Sequence, residues 1–368
     1  MATKPNYIRL ALGLARRAWG RTSPNPMVGA VLVKNGKVIG NGWHRRAGEP
    51  HAEIEAIRDA QKRGADLRGA TLFVTLEPCS THGRTPPCTE AIIAAGIREV
   101  VVGATDPNPK HAGRGFAILR RAGIVVTQGV LKAECAALNE AFNHWIVHGT
   151  PLVTVKAAMS LDGKIATTSG ESKWITGERA RAYAMRLRAS ADAVLVGINS
   201  IIKDDPGLTV RLPGFAGKPF RRYVLDPRGR TPTTARILCD EQAGMTTIVV
   251  TKLAAARRVA ALGRQARVLV APERDGRIDL GCLCKTMGGE NITHVLVEGG
   301  GETNAVWMQH AHRVAFFYAP IILGGRGGPT AVAGAGAQSL ADKLTLEDVH
   351  WRRLGHDLLL TARVRGPK

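Results

Sequence analysis

Four side chains carry the sharpest chemical signal in this chain of 368 residues. His51 and Glu53 stand two apart in Pro50-His51-Ala52-Glu53. Cys79 and Cys88 bracket the stretch Pro78-Cys79-Ser80-Thr81-His82-Gly83-Arg84-Thr85-Pro86-Pro87-Cys88. One imidazole and two thiols are zinc ligands, and three protein ligands leave the metal's fourth position for water, the mark of a catalytic rather than a structural site. Glu53 is placed to move protons without ligating, taking one from water and delivering one to a leaving amine. The blander reading is a helix start with a capping Glu and two buried cysteines. It does not ask for His-x-Glu, Pro-Cys and Pro-Pro-Cys together.

The elements around these residues read as alternating strands and helices. Residues 5–19 have an amphipathic helical pattern through Ile8, Leu12, Ala15 and Trp19. Val28–Val33 and Lys37–Trp43 form a hairpin about Asn35-Gly36. A helix begins at Pro50, Thr71–Leu76 is a strand ending before Cys79, and Cys88 opens a helix stopped by Gly96. Glu99–Gly103 is a strand, 114–122 a helix, Gly123–Thr127 a strand, and one helix from about 131 to 147 closes the unit. His51 and Cys88 thus sit at helix starts, where partial positive charge favours thiolate. His-x-Glu followed by Pro-Cys and a second Cys is the arrangement of zinc deaminases.

Patterning restarts after His148-Gly-Thr-Pro151, which divides the chain into domains 1–147 and 148–368. Strands are expected at Leu152–Ala158, Ala193–Gly197, Arg222–Asp226, Met245–Thr251, Val268–Ala271, His294–Val297 and Val314–Ala319, with a final strand pair in 347–364. Lys164–Thr168 is read as running on beyond a turn at Met159–Gly163, and Thr176 as the N-cap of a following helix. Helices fall at 254–263 and near 278–287; Cys282 and Cys284 are then two small buried thiols rather than a metal fragment. Glu298-Gly299-Gly300-Gly301-Glu302 runs from a strand into a helix, so glycines and helix N–H groups can cradle a phosphate. It is not the Rossmann fingerprint, and it follows a late strand rather than the first. An NADPH site of another architecture fits better.

The net charge of +21 comes from dispersed Lys and Arg, and aromatics are only 5%. No basic tail or aromatic-interleaved stripe points to nucleic acid, and an anionic small substrate accounts for the charge as well. No apolar run approaches the ~20 residues of a membrane span. Met1-Ala-Thr-Lys-Pro-Asn-Tyr7 lacks a signal-peptide core. A cytoplasmic protein with no membrane partner is expected, and six scattered cysteines suit that compartment.

Nearly the whole chain, about 5 to 365, resembles the bifunctional riboflavin-biosynthesis deaminase/reductase family. In the first half the likeness rests on His51-Ala-Glu53, Thr75-Leu-Glu-Pro-Cys79 through Cys88 with eight residues between the cysteines, Thr22-Ser-Pro-Asn-Pro-Met-Val-Gly29, and Asp106-Pro-Asn-Pro-Lys110. In the second it rests on Lys156 through Ala166, Gly170 through Thr176, Asp204 through Arg211 and Val297 through Gly301. The resemblance implies a cytidine-deaminase-like three-layer α/β domain followed by a dihydrofolate-reductase-like α/β domain. It implies one zinc per chain on His51, Cys79 and Cys88, with Glu53 catalytic, and a diaminopyrimidine substrate bearing a ribosylamino 5-phosphate. Asn25, His44 and Arg84 are further substrate candidates. NADP contacts would come from Ala158, Trp174, Ser200, Asp204 and the run Gly300, Gly301, Glu302, Thr303, Asn304, Ala305 and Val306. Substrate contacts would come from Ser172, Arg188, Leu208, Arg211 and Glu298, with the two arginines as forks for the ribose phosphate. Gly301 departs from a proline common in relatives, and Ala158 from a glycine. A homo-oligomer, dimer or tetramer, is expected. Two other readings remain: a zinc-dependent nucleic-acid base deaminase with an accessory domain, and a zinc-stabilised binding module. The cysteine spacing and second set of strands oppose the first, and the lack of a fourth ligand opposes the second.

Overall fold

The structure is a computed structural model describing residues 3–81, 86–215, 217–274 and 276–365. It divides into two units, Met1–Gly149 and Thr150–Lys368. The first runs α1 (Lys4–Ala15), β1 (Gly29–Lys34), β2 (Lys37–Trp43), α2 (Ala52–Lys62), β3 (Thr71–Leu76), α3 (Cys88–Ala94), β4 (Glu99–Ala104), α4 (Arg114–Arg121), β5 (Val125–Thr127), α5 (Lys132–Leu138) and α6 (Glu140–His148). Its sheet has the order β2-β1-β3-β4-β5, antiparallel about β1 and parallel from β3 to β5.

Two close approaches set the layers of this unit. A β-carbon on Gly29 would strike the backbone of α1 at Ala11, and one on Gly42 would strike α2 at Ala56. Gly29 pairs with Trp43, while Gly42 pairs with Ala30, so neighbouring register positions face opposite ways and the two helices cover opposite faces. Gly103, opposite Thr75 on the Gly29 face, leaves room in the same manner for Cys135 of α5. The result is three layers, with Ile8, Leu32, Leu72, Val100, Val102 and Leu119 in one buried cluster.

The single helix expected over 131–147 is broken. Asn139 lies between α5 and α6, 5% exposed, and its side chain accepts from Met27 N (2.7 Å) and donates to Met27 O (2.9 Å). A helical residue would have no reason to reach a strand-entry loop; the side chain competes with the helix and wins. Asn139→Ala leaves a backbone donor and acceptor unpaired. It is expected to cost about 1–3 kcal/mol, read as a lower urea midpoint for this unit; an unchanged midpoint would remove the strap from the account.

The second unit runs β6 (Leu152–Ser160), α7 (Glu178–Ser190), β7 (Ala193–Gly197), α8 (Ile198–Asp204), β8 (Arg221–Leu225), α9 (Arg236–Cys239), β9 (Thr246–Val250), α10 (Ala256–Gly263), β10 (Arg267–Val270), β11 (Glu273–Arg274), β12 (Arg277–Ile278), α11 (Leu280–Gly289), β13 (His294–Val297), α12 (Gly301–Met308), β14 (Arg313–Ala319), β15 (Thr345–Leu354) and β16 (Asp357–Arg365). Nine strands pair in the order β10-β9-β8-β7-β13-β6-β14-β16-β15. All are parallel as far as β14, and the last two return antiparallel. Alternate residues of one strand enter different cores: Leu195 packs with Met287 and Trp307, Val194 and Val196 with Ile201, Ile237 and Leu262. A sheet buried on both faces explains why these strands read as continuous apolar runs.

Two smaller expectations change here. Gly177, not Thr176, caps α7, and no side chain caps it; Asp357 accepts the Gly177 N–H (2.8 Å), and the Thr176 carbonyl accepts from Arg181 (2.7 Å). Lys164–Thr168 forms no strand; only Lys164 bridges to Thr330, because Asp162 turns the chain by accepting the N–H groups of Leu323 and Gly324. Cys282 and Cys284 lie on α11, the second buried, as two thiols of a packed helix.

Candidate active sites

His51 is the N-cap of α2, Cys88 the first residue of α3, and Cys79 follows the end of β3. Their ligand atoms lie within 4.8 Å of one another. His51 Nδ1 is 3.2 Å from Cys88 Sγ and 3.4 Å from Cys79 Sγ. Zinc–ligand lengths of about 2.0–2.3 Å in a tetrahedron ask for ligand atoms roughly 3.5 Å apart, so the donor set fits that ion in chemistry and in spacing. The Cys88 thiol and backbone N–H (3.3 Å) both donate to Cys79, which brings its thiol down to about 4. That thiolate raises His51 and, with burial, pushes Cys88 up. A divalent cation on these ligands would hold both sulfurs as thiolates and displace the second thiol proton.

Glu53, 3% exposed on the first turn of α2, points into the same space. Burial, with the Cys79 thiolate, raises its carboxyl to about 7. A carboxyl held beside the three ligands without ligating can accept a proton from water and return it. Beside it stands His44, buried, with Nδ1 3.1 Å from the Pro50 carbonyl and Nε2 3.1 Å from Asn25 Nδ2. A carbonyl only accepts, so Nδ1 carries the proton and Nε2 accepts from Asn25. Burial lowers this imidazole's pKa, in keeping with a neutral ring. Arg84 lies outside the described residues.

Glu77 was not singled out by its residue type. It is 5% exposed and accepts backbone N–H groups from Asp106 (3.2 Å), Gly113 (3.0 Å) and Gly115 (3.0 Å). A carboxylate two residues before Cys79 thereby ties the 106–115 loop beneath the cysteine. The only sequence signal was its place in Glu-Pro-Cys.

The second unit carries a cleft of about 770 Å³ across the carboxyl ends of its parallel strands. Ala158, Trp174, Ser200, Asp204, Gly300, Gly301, Glu302, Thr303 and Val306 of the expected cofactor set line it, as do Ser172 and Glu298 of the substrate set. Asn304 and Ala305 do not. Helical periodicity turns them away: Asn304 is fully buried and donates to Ala331 O (2.8 Å). Leu208 is also off the cleft, 4% exposed in the core with Phe220 and Ile237. Arg188 and Arg211 are not among the residues that line the cleft. Arg188 Nε and Nη2 each reach a different Glu298 oxygen at 2.8 Å, and Nη1 donates to Thr209 O (2.8 Å). Arg211 is exposed and, with Arg188 and Lys156, holds the buried Glu298 carboxyl down to about 2.

Gly300 caps α12 and Gly301 opens it. β-Carbons on Gly197 or Gly299 would collide with Thr303, and one on Gly301 with the Thr330 carbonyl. The turn is glycine-rich because β7, β13 and the 330–333 loop close on it. A proline ring at 301 would have nowhere to go without moving that loop.

Residues 1–104 match the cytidine and deoxycytidylate deaminase zinc-binding region, and residues 151–360 match the RibD C-terminal domain. The chain is 43% identical to the riboflavin biosynthesis protein RibD of Aquifex aeolicus, covering 96% of this chain and 97% of that one. It is 38% identical to the protein of the same name from Escherichia coli, with coverage of 96% and 97%. The solved structure of Acinetobacter baumannii RibD superposes with a TM-score of 0.87 at 36% identity, covering 98% of this chain and 99% of that one. A Thermotoga maritima structure, titled a diaminohydroxyphosphoribosylaminopyrimidine deaminase/5-amino-6-(5-phosphoribosylamino)uracil reductase, gives 0.85 at 35% with the same coverage. No helix among the described residues is long and apolar enough to cross a membrane. A zinc-type donor cluster with its buried carboxylate in one unit, a glycine-lined cleft in the other, and full-length likeness to RibD proteins place the chain in the RibD family, the bifunctional deaminase/reductases of riboflavin biosynthesis.

Proposed function

We propose that the Met1–Gly149 unit hydrolyses the 2-amino group of 2,5-diamino-6-(5-phosphoribosylamino)pyrimidin-4(3H)-one, and that Thr150–Lys368 then reduces the ribosyl chain to ribityl with NADPH. The product is 5-amino-6-(5-phosphoribitylamino)uracil. The observation carrying the first step is the convergence of His51, Cys79 and Cys88 with a buried Glu53. Zinc on those three ligands supplies an electrophilic centre that acidifies water. Glu53 accepts the proton as water oxygen bonds to C2 of the ring. It then passes that proton to the amino nitrogen, the C–N bond breaks and ammonia leaves, and the remaining hydroxyl proton moves to the adjacent ring nitrogen so that C2 becomes an oxo carbon. His44, its ring 5.3 Å from that of His51, and Asn25 are locked by their mutual hydrogen bond and are suited to orient the pyrimidine.

In the second unit NADPH supplies the hydride when bound. The backbone N–H groups at Gly300–Glu302 would receive its pyrophosphate at the start of α12. Ala158, Trp174, Ser200, Asp204, Thr303 and Val306 would flank it, and Ser172 and Glu298 would face the substrate, with Arg188 fixing Glu298 in place. Arg211, exposed near that carboxylate, is suited to the ribose phosphate. A cytoplasmic homo-oligomer completes the reading. The test is zinc analysis of the purified protein with product identification on the diaminopyrimidine, with and without NADPH. One equivalent of zinc, a deaminated product without NADPH and a ribityl product with it are expected. Deamination by a zinc-free protein, or no reduction of deaminated substrate, would overturn the corresponding half.

A further inference from the structure

The turn that leaves the second unit's cleft after α8 has little main-chain support. Lys203 and Asp204, at the end of that helix, line the cleft. The chain then enters the core at Leu208, beside Phe220 and Ile237. Among the described residues, no N–H or carbonyl of residues 206–211 bonds to other main chain. Asp205 and Leu208 hold positive φ, 39° and 50°. That region is costly for a leucine, so the surroundings must over-determine it.

Side chains supply the anchors. Asp205 Oδ1 accepts the N–H of Arg236 at the start of α9 (2.8 Å). Arg222 Nη1 donates to the Gly207 carbonyl (2.9 Å), and Arg188 Nη1 to the Thr209 carbonyl (2.8 Å). Met185 Sδ accepts the Arg211 N–H (3.2 Å). The Arg222 side chain, on β8, is fully buried, and all five of its N–H groups are used. Nε donates to Thr246 Oγ1 (2.9 Å), Nη1 also to Asp240 Oδ2 (2.6 Å), and Nη2 to Ile237 O (2.9 Å) and Asp240 Oδ1 (2.8 Å). α9 has support without it: Thr246 Oγ1 donates to the Ile237 carbonyl (3.0 Å), and Asp240 Oδ1 accepts the Gln242 N–H (3.0 Å). The Gly207 carbonyl has no other partner among the described residues. A buried charge pair gives a core little that apolar side chains of its size would not. What this guanidinium adds is a bond to a turn whose far end reaches Glu298 through Arg188.

We propose that Arg222 is a positioning residue for the reduction: with Asp205 it locks residues 205–208 to α9, and so fixes the Thr209 carbonyl that shares Arg188 with Glu298. Arg222 itself does not line the cleft. The inference rests on reading the cleft as the reductase site. Asp204 belongs to α8 and is held by that helix. Release of the turn is therefore felt on the Thr209 side, where Glu298 meets the substrate, and not at the cofactor.

The full chain is assayed for reduction of 5-amino-6-(5-phosphoribosylamino)uracil with NADPH, and a urea midpoint is taken for each variant. R222M/D240L removes both charges and leaves Gly207 unheld. Its midpoint is expected near that of the wild type, as apolar replacements of buried pairs allow. Its KM for the uracil substrate is expected to rise about tenfold or more, the worth of a hydrogen bond from a charged donor, with KM for NADPH within about twofold. D240N is the converse: it weakens the pair but keeps the Gly207 bond. It is expected to lower the midpoint with the substrate KM within about twofold of wild type. A merely structural Arg222 makes KM follow the midpoint in both variants, and that result overturns the proposal. So does R222M/D240L with an unchanged substrate KM, or with both KM values raised alike. If R222M/D240L does not fold, D205G decides, because Asp205 is exposed and glycine accepts its φ. A substrate KM raised about threefold or more at a wild-type midpoint is expected there, and an unchanged KM overturns the proposal. A wild type that does not reduce this substrate overturns the reading of the cleft itself.

Discussion

Glu53→Gln is expected to lower deamination by about 10²–10⁴-fold, toward the upper end because the carboxyl serves twice. The amide keeps the volume of the side chain but cannot take or return a proton. Zinc content is expected to stay at the wild-type value, because His51, Cys79 and Cys88 are untouched, and reduction of deaminated substrate is expected to persist. Full deamination by a zinc-loaded variant would remove Glu53 from the mechanism. Stability gives a second, opposite reading. In the metal-free protein the Glu53 carboxyl is raised to about 7, against about 4.3 for an unfolded glutamate. The folded state therefore holds a proton that the unfolded state releases, and stability falls as pH rises through that window. The loss amounts to about 3 kcal/mol by pH 7, and the glutamine variant escapes it. Chelator-stripped Glu53→Gln is thus expected to melt above stripped wild type at pH 8, with the gap closing toward pH 4. A buried carboxylate that weakens its own unit is best understood as retained for chemistry.

The metal cluster is legible in the sequence because its parts sit at element ends. His51 and Cys88 open helices and Cys79 leaves a strand, and such ends converge at one edge of a parallel sheet. The same logic marks the glycine turn after β13. What sequence periodicity could not show depends on partners far along the chain. Asn139 sits within an otherwise helical pattern, and only its bond to Met27, 112 residues away, explains the break. Glu77 looks like part of a Pro-Cys motif until three N–H groups 29 to 38 residues later converge on it. Contiguity does not show which side of a helix lines a cleft: residues 300–306 form one run in sequence, and of these Thr303 and Val306 line the cleft while Asn304 and Ala305 do not. The resemblance implies a substrate contact for Arg188, whereas in the fold its fork is filled by Glu298.

That last pair carries the largest expected stability effect. Arg188 and Glu298 are each 11% exposed and share two bonds of 2.8 Å. Arg188→Met keeps much of the stem's packing but leaves Glu298 with Lys156 at 3.9 Å and frees the Thr209 carbonyl. Removing one partner of a buried pair costs about 3–5 kcal/mol, which a urea midpoint for the Thr150–Lys368 transition would report at pH 7. The pH dependence has a definite sign. Glu298 is held down to about 2 in the folded chain, against about 4.3 unfolded, so its contribution of about 3 kcal/mol is fully present above that value. It is lost as pH falls toward the folded value. Arg188→Met raises the folded value and flattens this acid limb, so the variant's deficit is expected to shrink between pH 6 and pH 3.5. Arg188→Met/Glu298→Leu removes both charges and is expected to recover most of the midpoint, as apolar replacements of buried pairs commonly do. It is not expected to recover reduction, since Glu298 lines the cleft. Recovery of both would make the pair a packing device; recovery of stability alone separates what holds this wall together from what the wall is for.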